Sequence, residues 1–88
     1  MPYYVYIIES EEDHRYYYGQ TKDLEKRLTE HNLGKSAYTR KYTPWKLYAC
    51  KITTSRSEAM KYERMLKNIH SREKVLKFIR LHDFEISE

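Results

Sequence analysis

Two apolar runs open the chain. Tyr3–Glu9 and Arg15–Thr21 are rich in Tyr, Val and Ile, and the polar stretch SEEDH separates them. Aromatic and β-branched runs bounded by a polar turn predict a β-hairpin. Neither run alternates apolar with polar, so both faces of the sheet need cover, and helices on each side are expected to supply it. Lys22–Asn32 has helical spacing: Leu24 and Leu28 form its stripe, Thr21 or Asp23 caps its start, and Gly34 closes it. The polar and aromatic loop GKSAYTRKYTPWK leads into a third strand, Trp45–Thr53. Ser55-Arg56-Ser57-Glu58 is a capping box that opens a second helix running to about Ile69. Ser71 caps a third helix with Val75, Leu76 and Ile79 as its stripe, and His82–Glu88 is expected to fray or dock loosely. The predicted order is ββαβαα. This is an α/β (α+β) domain over residues 3–80, a small three-stranded antiparallel sheet flanked by three helices, with a tail over 81–88.

Composition narrows the setting. Eighty-eight residues support one modest core. The longest apolar run, Tyr3–Ile8, is far too short to span a bilayer, and MPYYVYIIES lacks a basic start and a long apolar segment. The expectation is a cytoplasmic protein without a membrane partner, and a monomer. Cys50 is the only cysteine and the four histidines are scattered, which argues against a disulfide or a structural zinc site. The net charge of +4 conceals segregation: residues 22–82 carry 16 Lys/Arg against 6 acids, whereas both ends are acidic. A basic body suggests a polyanionic partner such as nucleic acid, although a solubilising surface would look similar.

Two charges interrupt apolar stripes. Arg27 and His31 fall three and seven residues after Leu24, beside the stripe of the first helix. An arginine there can snorkel at the edge, and a histidine can be a hydrogen-bonded core residue. In the second helix, Glu63 lies beside the stripe Ala59, Tyr62, Leu66 and Ile69. A carboxylate so placed must be paired, as in a Glu63–Arg27 bridge, or hold a cation. A carboxylate for a divalent cation, a guanidinium for phosphoryl charge and a base for water are the parts of a phosphoryl-transfer site. Gly34-Lys35-Ser36 only imitates a P-loop, since Thr29 stands where its first glycine belongs and a helix precedes it.

Tyr4-Val5-Tyr6 and Tyr17-Tyr18-Gly19 resemble the paired motifs of the GIY-YIG nuclease domain. DLEKRLTEHN resembles that family's arginine-bearing helix, and HNLGKSAYTR, PWKL and SRSEAMKYERMLK resemble its short single-domain bacterial branch, related to the N-terminal domain of UvrC. The resemblance implies Mg²⁺- or Mn²⁺-dependent hydrolysis of a nucleic-acid phosphodiester, DNA rather than RNA, in repair or recombination. It carries roles to Tyr6, Tyr17, Arg27, His31 and Glu63 as catalytic residues, with Glu63 as the metal ligand. Departures are Tyr4 for the first glycine, Val5 and Tyr18 for the isoleucines, and Gln20 for a lysine.

On that reading Tyr6 deprotonates water, Tyr17 orients water or phosphate, and Arg27 neutralises phosphoryl charge. Tyr6 and Tyr17 must share a face, and placing them opposite each other leaves Ser10–Asp13 as the turn. Tyr16 and Tyr18 then pack on the other face, as Trp45 packs in the core. Gly19 leaves room for close approach, and Gln20 leads to helix amides that favour phosphate. Lys35, Tyr38, Arg40 and Lys41 offer charge and stacking to a nucleic-acid strand. Two alternatives stay open: a nucleic-acid-binding module with little turnover, and a protein adaptor in which Arg27 and Glu63 are only structural.

Overall fold

Four consecutive residues, Val5 to Ile8, are at most 2% exposed, which only a strand covered on both faces permits. In the computed structural model, which describes residues 2–87, they form the centre of β1 (Tyr3–Ser10). There follow β2 (Tyr16–Thr21), α1 (Leu24–Asn32), a 3-10 helix (Thr39–Tyr42), β3 (Trp45–Thr53), α2 (Arg56–Lys67), α3 (Arg72–Leu81) and β4 (Glu85–Ile86). The sheet has the order β2-β1-β3-β4 and is antiparallel throughout.

The two faces carry separate cores. Val5, Ile7 and Ala49 pack with Ala59 and Leu66 of α2, Val75 and Ile79 of α3, and Phe84. Tyr6, Ile8 and Trp45 pack with Tyr17, Leu24, Leu28 and Tyr42 on the face covered by α1 and the 3-10 helix. Tyr16 and Tyr18 join the α2–α3 side, as alternation demands. The helix starts are capped as their sequences indicate. Asp23 accepts from the Lys26 N–H at 3.1 Å, Ser55 from Glu58 at 3.1 Å and Ser71 from Lys74 at 3.4 Å. The Glu58 carboxylate reaches back to the Thr54 N–H, one residue before the cap.

Two expectations need correction. The hairpin register places Tyr6 opposite Gly19 and Tyr17 opposite Ile8, two residues from the expected pairing. The reason is Ser10, which stays in the ladder. Its N–H donates to Arg15 O at 2.9 Å, and its hydroxyl accepts from the N–H groups of Glu12 and Asp13, so the turn occupies Glu11–His14. A shift of two preserves the face, and Tyr6 and Tyr17 remain on the same side. The tail is not frayed. After a turn at Asp83, where φ is 59°, Phe84 enters the α2–α3 core and Glu85–Ile86 pair with β3 as a fourth strand.

Candidate active site

Tyr6 lies at the middle of the central strand, 2% exposed, and its phenol passes over Gly19 on the edge strand. A Cβ on Gly19 would come within 2.5 Å of the phenol Cζ. The space left by the missing side chain is thus filled by Tyr6 rather than left open for substrate. Tyr6 Oη meets His31 Nε2 at 2.9 Å, and His31 Nδ1 meets the Thr39 hydroxyl at 2.7 Å. His31 and Thr39 are both fully buried.

The scaffold behind this chain is fixed by backbone contacts. The Trp45 indole N–H donates to Thr39 O at 2.7 Å. The Asn32 amide accepts from Trp45 N–H at 2.6 Å and donates to Trp45 O at 3.0 Å, tying the end of α1 to the start of β3. Thr39 and Asn32 were invisible to sequence periodicity, because each acts from the end of a helix on a residue of another element. The only signal was polar residues clustered before an expected core tryptophan.

Burial pushes the Tyr6 phenol above its ordinary value, and the Arg27 guanidinium pulls it back in part. The charges of Tyr17 and Glu63 act on the same phenol and raise it further. Arg27, Tyr17 and Glu63 thus all act on the Tyr6 phenol, and the fourth candidate, His31, bonds it directly. Desolvation is the larger effect and outweighs the guanidinium. Burial, aided by the Arg27 charge, pulls His31 down to about 4, so its ring is neutral near pH 7.

Tyr17 is half-buried. Its ring meets His31 edge-on at 5.3 Å and stacks on Tyr38 at 5.7 Å. Tyr38 in turn accepts a hydrogen bond from Arg15 at 3.2 Å, so this loop tyrosine is already partnered on one face. Lys35, Arg40 and Lys41 are exposed nearby in sequence, with Arg40 and Lys41 on the 3-10 helix.

The structural Glu63–Arg27 bridge is absent. Arg27 pairs with Glu30 at 3.2 Å, and Glu63 pairs with Lys67, one turn on, at 2.7 Å. The reason is placement: α1 and α2 cover opposite faces of the sheet, and Glu63 shares its cleft with Gln20 of the edge strand. The Glu63 side chain is 19% exposed and lines an open cleft of about 380 Å³ with Gln20, Met60, Arg64 and Lys67. Among the described residues no three His, Cys, Asp or Glu side chains gather as a ready-made metal cage. One carboxylate in an open cleft still suits a cation of the Mg²⁺ type, which takes one or two carboxylates and completes its shell with water and phosphate. The Lys67 ammonium resting on Glu63 shows that a positive charge fits there. The start of α1 is a poorer anion seat than expected, since Asp23 occupies its amides and Glu25 adds a second acid.

The family model of the GIY-YIG catalytic domain matches residues 2–76. The chain belongs to the GIY-YIG family. Short relatives support this: the UPF0213 protein SAG0778 of Streptococcus agalactiae is 38% identical over 97% of this chain and 96% of its own. The UPF0213 protein BH0048 of Halalkalibacterium halodurans is 40% identical over 84% of this chain and 79% of its own. The solution NMR structure of BH0048 aligns with a TM-score of 0.56 at 38% identity, covering 92% of this chain and 85% of that one. GIY-YIG membership brings a nuclease-type domain. Among the described residues no helix is long and apolar enough to cross a membrane.

Proposed function

We propose that this GIY-YIG domain hydrolyses phosphodiester bonds of nucleic acid, DNA in preference to RNA, with one divalent cation held by Glu63. The observation that carries this reading is the phenol of Tyr6, backed by His31 and Thr39 and within electrostatic reach of Arg27, Tyr17 and Glu63. A bound Mg²⁺ or Mn²⁺ would supply Lewis-acid polarisation of the scissile phosphate and stabilise the leaving oxygen.

The chain's own residues do the rest. In its phenolate form Tyr6 takes a proton from the attacking water and returns to the phenol. A neutral His31 ring can accept from the phenol through Nε2 or donate to the phenolate, because the Thr39 hydroxyl on Nδ1 works as acceptor or donor in turn. The ring therefore holds Tyr6 in one orientation through both ionisation states. Tyr17, wedged between His31 and Tyr38, presents its hydroxyl as an orienting group. Arg27, half-buried on the α1 edge, meets negative charge developing on the phosphoryl oxygens.

The second reading is a binding module with little turnover, favoured by the raised phenol and by Lys67 occupying the Glu63 carboxylate. Matched DNA and RNA duplexes, single strands and branched junctions, each incubated with Mg²⁺, Mn²⁺ or a chelator, separate the two. Cation-dependent cuts, stronger on DNA, support hydrolysis. Salt-sensitive binding with intact substrates under every cation supports the module.

A further inference from the structure

The cleft at Glu63 does not end there. A second open groove of about 690 Å³ runs along the exposed side of α2, and the two share Met60 and Arg64. Its lining includes Arg56, Lys61 and Arg64, all exposed. Their spacing follows from the helix: Ala59, Tyr62 and Leu66 turn toward the sheet, so positions 56, 60, 61 and 64 fall on the outer side.

Acids do not cancel these cations. Glu58, the one acid in the groove, turns its carboxylate back to the Thr54 N–H. Arg56, Lys61 and Arg64 take part in no ion pair among the described residues. This contrasts with Arg15, Arg27, Lys67 and Arg72, each of which has a carboxylate partner. The groove is also without aromatic side chains, Met60 being its one large apolar group. Cations without stacking rings suit a phosphate backbone whose bases are already paired, whereas single strands are held by base stacking.

We infer that the outer face of α2, through Arg56, Lys61 and Arg64, is a phosphate-backbone track that seats a double-stranded arm of the substrate and leads it to Glu63. This inference rests on the reading of the cleft as a nuclease centre. From Arg56 to Lys67 the helix runs about 16 Å at ~1.5 Å per residue. That length matches about five phosphates of one strand, spaced about 3.4 Å along a duplex axis.

The test is equilibrium binding by fluorescence anisotropy, in chelator, of the wild type and the Arg56→Gln/Lys61→Gln protein. A duplex and a single strand of the same sequence are titrated at several salt concentrations, alongside hydrolysis of a small aryl phosphodiester. Both side chains are exposed and outside the Glu63 cleft, so folding and small-ester hydrolysis should be unchanged. Two lost phosphate contacts should flatten the duplex salt slope by about 1.8, so that between 50 and 200 mM salt the variant loses about twelvefold less affinity than the wild type. Single-strand affinity should stay within about twofold. An unchanged duplex slope, or a loss confined to the single strand, overturns the track. A wild type that hydrolyses the small ester but binds no duplex also overturns it, while the hydrolytic reading of the cleft survives. A wild type with neither property ends both.

Discussion

The Tyr6 phenol lies across Gly19, and each residue explains the other. The glycine of the second tyrosine motif is present because a ring from the neighbouring strand occupies the place of its side chain. Gly19→Ala should force the phenol aside and break its contact with His31. Overpacking of this kind costs about 1–3 kcal/mol. Urea denaturation should register that loss, and cleavage should fall further than stability does, because the displaced group is the proposed base. Wild-type stability and activity in this variant would show that the ring is free to move.

His31 makes stability depend on acid. Burial holds it at about 4 in the folded chain, against an ordinary value near 6.5. The unfolded chain therefore binds the proton first, and folding stability falls as pH drops from about 6.5 toward 4. The full effect is about 3 kcal/mol, at ~1.36 kcal/mol per pH unit of difference. Denaturant midpoints at pH 7 and pH 4.5 should diverge for the wild type and much less for His31→Gln. Equal pH dependence in the two proteins would remove His31 as the source.

Tyr6 predicts the opposite limb. Its desolvated phenol lies above the ordinary value near 10, and the Glu63 charge contributes to that rise. A cation bound at Glu63 reverses the sign of that contribution. Ultraviolet difference titration should show one tyrosine moving to lower pH on addition of Mn²⁺, with no movement in Glu63→Ala. The cleavage rate should climb from pH 7 to 9, approaching tenfold per unit, if the phenolate is the base. A flat or falling profile would assign the proton to another group.

The tail contributes to the core. Phe84 is 7% exposed and packs with Val75 and Ile79. Phe84→Ala should cost about 3 kcal/mol, at the lower end of the range for buried aromatic truncation. A loss under ~0.5 kcal/mol would mean that the tail is only loosely docked.

How much of this was legible in the sequence depends on the range of the interaction. Strands and helices set by local pattern were readable: Trp45–Thr53 matches β3 at both ends, and Ser55 and Ser71 cap their helices. The shared face of Tyr6 and Tyr17 was readable too, since alternation survives a shift of two. The turn was misplaced because a Ser10 hydroxyl binding two backbone amides leaves no periodic trace. The fourth strand was missed because two residues make no pattern. Thr39 and Lys67 were missed for different reasons. Thr39 reaches His31 from the short 3-10 helix, and Lys67 sits one turn from Glu63 in a helix already crowded with lysines and arginines.

The central claim is that Tyr6 and Glu63 serve one hydrolytic event. Nicking of supercoiled plasmid in Mg²⁺ and Mn²⁺, by the wild type, Tyr6→Phe and Glu63→Ala, tests it most directly, with circular dichroism confirming that each protein is folded. The account predicts cation-dependent nicking by the wild type and at least a hundredfold loss, on the order expected for removing a general base, in both variants. Nicking that persists at the wild-type rate in either folded variant would contradict it.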